Sequence, residues 1–135
     1  MQSSSRLGFC VPVLAWFLLP VSALANPTSV YREIRSIEIS TQGKGLSTAD
    51  AELCSGFKLA SQKVKKILEN AREIDIRFYT HELDFSPCSV EGQVTLRNGL
   101  KGKWQVQMGG GIRIEFEDQH VMLLHCKNCG KPFVD

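Results

Sequence analysis

Residues 86–130 read SPCSVEGQVTLRNGLKGKWQVQMGGGIRIEFEDQHVMLLHCKNCG, and the alternation inside this stretch decides the fold. From Val90 to Arg97, Val90, Gly92, Val94 and Leu96 fall on one face, and Glu91, Gln93, Thr95 and Arg97 on the other. A period of two is the mark of a half-buried strand. Asn98-Gly99 supplies residues that tolerate positive φ, as hairpin turns require, and the loop is expected to run on through Leu100-Lys101-Gly102. A second strand, Lys103 to Met108, alternates Trp104, Val106 and Met108 with Lys103, Gln105 and Gln107. After Gly109-Gly110-Gly111 a third strand sets Ile112, Ile114 and Phe116 against Arg113, Glu115 and Glu117. Asp118-Gln119 turns the chain into a fourth strand, His120 to Cys126, which is apolar on both faces and so is expected to be central or overlaid. The glycine triplet is followed by a strand and by no Lys-Ser or Lys-Thr, so it reads as a hairpin turn and not as a phosphate cradle.

Upstream, the clearest helix runs from about Ser61, the expected N-cap, to Arg72. Val64, Ile67, Leu68, Ala71 and Ile74 recur at spacings of three and four, opposite Lys63, Lys65, Lys66, Glu69 and Arg72. Acids interrupt the lysines, so the basic cluster reads as a solvated face. Ile37, Ile39 and Thr41 alternate with Glu38 and Ser40 and predict a strand over Ser36–Thr41. Ser47-Thr48-Ala49-Asp50 fits the start of a short helical turn carrying Ala51 and Leu53. Asp75 to Asp84 reads as an extended connection or a continuation of the helix, ended before Pro87. The expected class is α+β: one principal helix packed on an antiparallel meander of four to five strands, stapled by disulfides.

The first 25 residues have the form of a secretory signal. Arg6 is their only charge, Leu7 to Leu19 is apolar, and Ala23-Leu24-Ala25 fits a cleavage site. The apolar run falls short of the roughly 20 residues a membrane span needs, and no lipoprotein cysteine stands at the cleavage site, so no membrane anchor is expected after cleavage. About 110 residues remain (135 minus 25), which is one domain, 26–135. The formal net charge of +2, reduced by one without Arg6, excludes a generic nucleic-acid binder, which needs a strong basic excess.

Of the five cysteines, Cys10 lies in the signal; Cys54, Cys88, Cys126 and Cys129 remain. An even number in a small exported domain reads as two disulfides. In an up-and-down meander, Cys88 and the Cys126/Cys129 pair lie at one end of the sheet. That favours joining Cys54 and Cys88 separately to Cys126 and Cys129; the arrangement Cys54–Cys88 with Cys126–Cys129 stays open.

Candidate chemistry is sparse, and no cofactor signature is present. His81-Glu82-Leu83-Asp84-Phe85 lacks the second histidine of a zincin, because Phe85 occupies that position. His125, Cys126 and Cys129, with Cys88 or Cys54, would make a zinc set, but only the one close pair Cys126/Cys129 is present where zinc ribbons carry two, and disulfides are expected instead. Cys126-Lys127-Asn128-Cys129 is followed by only six residues, with no helix to support a redox nucleophile.

The pattern Cys54-x-x-Phe57-x-Leu59, Asp84-x-Ser86-Pro87-Cys88, Trp104-x-Val106 and Cys126-x-x-Cys129 resembles a group of small, uncharacterised exported proteins of Gram-negative bacteria. The resemblance implies a periplasmic or secreted location and this fold, and by analogy of size and compartment an immunity or inhibitor role. The expectation is a non-enzymatic periplasmic binding protein acting on an exported toxin or hydrolase. Its contacts are expected on the His81–Phe85 connection (His81, Glu82, Asp84, Phe85) and on the loops 98–103 and 109–111 (Lys101, Lys103, Gly110). The rivals are a small hydrolase using His81, Asp84 or His120, and a thiol–disulfide redox protein using Cys126 and Cys129.

Overall fold

The structure, a computed structural model, describes residues 34–130 and, apart from them, Gly8. The expected signal segment, with Cys10, lies outside the described residues. The chain runs through β1 (Ile34–Lys44), a 3-10 turn (Thr48–Asp50), α1 (Ala51–Cys54), α2 (Ser61–Asn70), β2 (Arg72–Glu73) and α3 (Ile76–His81). It then enters the meander: β3 (Ser89–Leu96), β4 (Lys101–Gln107), β5 (Gly111–Phe116) and β6 (Val121–His125). All pairings are antiparallel, in one six-stranded sheet of order β1-β3-β4-β5-β6-β2. The class is α+β as expected, with six strands where four to five were predicted. The sixth is β2, whose two residues pair with His125 and Leu124.

Alternation fixes which face is dry. Val90, Val94 and Leu96 of β3, Trp104 and Val106 of β4, Ile112, Ile114 and Phe116 of β5, and Met122 and Leu124 of β6 are all buried. Val64, Ile67 and Leu68 of α2 close over that face, with Phe57 and Leu59 from the segment before it. At roughly 25 cal/mol per Å² of apolar surface removed from water, this layer is the main source of stability. Ala60, not Ser61, is the N-cap of α2. The helix stops at Asn70, two residues short of expectation, because Arg72 and Glu73 are drawn onto the edge of β6.

β1 is longer than the predicted Ser36–Thr41. Register shifts against β3 at Ile34/Ser36, Ile39/Thr41 and Thr41/Lys44 reset its alternation, so that Ile34, Ile37 and Ile39 all reach the core. Among the described strands β1 is an edge, and its bulges make it a poor template for unwanted pairing. The β3–β4 loop is shorter than expected, since Lys101 and Gly102 are already strand. Ser47 opens the 3-10 turn, its N–H donating to the Asp50 carboxylate at 3.1 Å. Asp75 caps α3 by accepting from the Phe78 N–H at 2.7 Å.

The favoured disulfide arrangement is corrected. Cys54 bonds to Cys88, with Cα atoms 5.0 Å apart, and Cys126 to Cys129, with Cα atoms 5.5 Å apart. Cys88 and Cys126 do lie at the same end of the sheet, but flank β3 and β6, three strands apart. Three lateral steps amount to about 14 Å, well beyond disulfide reach. Cys54 lies against the end of β1, its carbonyl packed on Gly43, and Lys44 of β1 pairs with Ser89, the residue after Cys88.

Candidate functional site

The sheet's second face carries the polar half of every alternation. In register across it stand Glu91, Gln105, Arg113 and Leu123, and one row further on Glu38, Gln93, Lys103, Glu115 and Val121. α2 lies on the other side of the sheet. Among the described residues, α3 alone crosses this face, at one corner. There Phe78 approaches the His125 ring at 6.0 Å between centroids, and Tyr79 lies over Gly111, which has no side chain to obstruct it. This explains the two-sided apolar pattern of β6: it sits next to the short edge strand and is overlaid by α3, not central.

Beside α3 no other described element covers the face. A depression of about 250 Å³ is lined by Ser40, Glu91, Gln93, Lys103, Gln105, Arg113 and Glu115. A second of about 480 Å³ continues past Lys101 and Lys103 toward Glu117 and Gln119. Lys44 pairs with Glu91 at 2.9 Å, Gln105 donates to the same carboxylate at 2.9 Å, and Arg113 pairs with Glu115 at 3.2 Å. Such pairs are exposed and contribute at most about 1 kcal/mol each; their effect is to hold side-chain positions. Lys101 and Lys103 make no ion pair with a described residue. At the α3 corner, burial raises the Tyr79 phenol above its ordinary value, opposed by the neighbouring Arg113 charge.

The residues expected to make contacts do not form one site. His81, Glu82, Asp84 and Phe85 are exposed at the α3 end of the sheet, Phe85 at 79%. The Asp84 carbonyl packs on Gly109, so this connection and the 109–111 turn are neighbours, with Gly110 buried inside the turn at φ +104°. Lys101 begins β4 at the opposite end, and Lys103 projects from the middle of the open face. Of the candidate hydrolase residues, His120 is in the β5–β6 turn, stacked on Phe116 at 6.2 Å. A strand length of roughly 20 Å separates that end from His81 and Asp84, so the three cannot share one reacting atom. With both bridges formed, none of the four sulfurs is a free thiolate for metal binding. Among the described residues no group of three His, Cys, Asp or Glu side chains has the geometry to hold a metal ion.

Glu38, Glu91, Gln93, Gln105, Arg113 and Glu115 were not singled out from sequence as a surface. Their polar alternation was visible strand by strand; the register that joins them was not.

Together these features define a disulfide-linked α+β protein with one sheet face packed and the other largely uncovered by the described residues. Compared with known protein families, with curated proteins and with solved structures, the chain matches none.

Proposed function

We propose that the protein is an exported, periplasmic binding protein that recognises another protein through the open sheet face, as an immunity protein or inhibitor of an exported toxin or hydrolase. The observation that carries this reading is the open polar face itself: about five strands wide, with charges of both signs carried on a hydrogen-bonded, disulfide-linked sheet. A pre-ordered surface loses little conformational entropy on binding, which raises affinity. Interspersed charges of both signs favour a partner with a complementary pattern and penalise others. Two disulfides favour an oxidising compartment, and no helix among the described residues is long and apolar enough to cross a membrane. The resemblance to small exported proteins of Gram-negative bacteria points the same way.

The test mixes the purified protein with exported toxins and hydrolases encoded beside its gene. A tight complex is expected, lost in the double variant Lys103→Glu with Arg113→Glu and retained in Lys65→Glu on the helix side. Substrate turnover abolished by His81→Ala, with no complex formed, would replace this reading with the hydrolase.

A further inference from the structure

The two disulfides differ in ways that a purely structural pair would not require. Cys54–Cys88 joins residues 34 apart and is wholly within the core, its cysteines 0% and 3% exposed. Cys126–Cys129 joins residues three apart. Cys126 is 3% exposed, but Cys129 is only half-buried and reaches the surface beside α2. It opens on a hollow of about 140 Å³ lined by Lys63, Lys66, Ile67 and Asn70 of α2 and by Asn128. No carboxylate lines the hollow. Lys127, in the same turn, is exposed.

We propose that Cys126–Cys129 is a thiol–disulfide exchange site, with Cys129 as the sulfur attacked and small anionic thiols of the glutathione type as reactants. Exchange requires a thiolate to reach one sulfur of the bridge, and of the four cysteines Cys129 alone is more than marginally exposed. Lys63 and Lys66 attract the carboxylates and the thiolate of the incoming molecule and favour thiolate over thiol at Cys129. The cationic surroundings that a following helix would supply in other redox pairs come here from α2, packed beside the turn.

In the first step the small thiolate forms a bond to Cys129 Sγ. The Cys126–Cys129 bond breaks, its electron pair leaves with Cys126 Sγ, and that sulfur takes a proton from water. Burial disfavours the Cys126 thiolate, which slows its departure and then suppresses its return, so the mixed disulfide on Cys129 accumulates. A second small thiolate attacks the adduct and releases Cys129 as thiolate. The net change is one protein disulfide reduced to two thiols and two small thiols oxidised to their disulfide. The hollow lies on the α2 side of the sheet, away from the open polar face, so this chemistry is independent of recognition there.

The test treats the disulfide-bonded protein with graded reduced glutathione at mildly alkaline pH, quenches with acid, alkylates free thiols and maps the peptides by mass. Cys126–Cys129 should open about tenfold faster or more than Cys54–Cys88. A glutathione adduct should appear on Cys129, with the emission of buried Trp104 staying native. The double variant Lys63→Gln with Lys66→Gln should react about threefold or more slowly with glutathione and at an unchanged rate with neutral mercaptoethanol. Both bridges opening together, opening only as Trp104 emission shifts, an adduct on Cys126, or a glutathione rate indifferent to the lysines would each overturn the proposal.

Discussion

Position 92 has no side chain because two elements already occupy the space one would need. A Cβ there would meet the Trp104 indole on the core face and the Glu38 carbonyl of β1. The indole is fixed in turn by its Nε1–H, which donates to the Gln93 carbonyl at 3.0 Å. Gly92→Ala should therefore cost about 3 kcal/mol, measured by urea unfolding with Trp104 emission as the readout. Gln119 is the opposite case. It holds φ +68° in the β5–β6 turn, the only described residue other than glycine with positive φ. That conformation costs a side-chain-bearing residue roughly 1–2 kcal/mol, while glycine loses about 0.5–1 kcal/mol more backbone entropy on folding than other residues. The first effect is larger, so Gln119→Gly should raise stability by about 0.5 kcal/mol, read as a small rise in thermal midpoint. Neither environment was legible in the sequence: Gly92 read as one member of an alternation and Gln119 as a turn residue, and their strain depends on what packs beside them.

Among the elements, those with a repeating pattern were legible. β3, β4, β5 and the apolar stripe of α2 carry their periods through several residues, and each period names a buried face. β2 and α3 are too short to carry a period, and they exist through their contacts with β6. Disulfide pairing was half legible, because strand direction gives the end of the sheet but not the lateral distance between strands. The chain-entropy relation separates the two bridges: the Cys54–Cys88 loop should contribute about 4 kcal/mol and Cys126–Cys129 about 2 kcal/mol. Paired Cys→Ala variants compared by denaturant unfolding should keep that order, and equal losses would show that packing outweighs loop closure. The seating of α3 has its own signature. Desolvation disfavours the Tyr79 phenolate, so the folded-state value lies above the unfolded one of about 10. Both states are protonated below pH 10, and the stability is fully present there. It is lost as pH rises above 10 toward the folded value, because the unfolded chain ionises first. Tyr79→Phe should flatten that alkaline decline, measured as thermal midpoint against pH.

On the scale of the whole molecule, the two faces of the sheet have divided the work. One binds α2 and accounts for most of the buried apolar surface; the other carries polar side chains whose loss exposes no core. The open face was illegible in sequence for a physical reason. Its residues come from four strands whose polar positions are each ordinary, and only the registers of β1, β3, β4 and β5 bring Glu38, Gln93, Lys103 and Glu115 into one row. If the division is real, stability and recognition respond to different substitutions. Gln93→Ala and Lys103→Ala remove exposed side chains with no buried partner, so each should change unfolding free energy by no more than about 0.5 kcal/mol. Trp104→Ala, at the position next to Lys103 in β4 and paired with Gly92, lies on the packed face, 1% exposed, and should cost about 3–5 kcal/mol. Denaturant unfolding followed by far-UV circular dichroism, which does not depend on the tryptophan, measures all three on one scale. A loss of about 2 kcal/mol or more at Gln93 or Lys103 would mean that the open face also holds the fold together, and a charge reversal there could then abolish a complex merely by unfolding the protein.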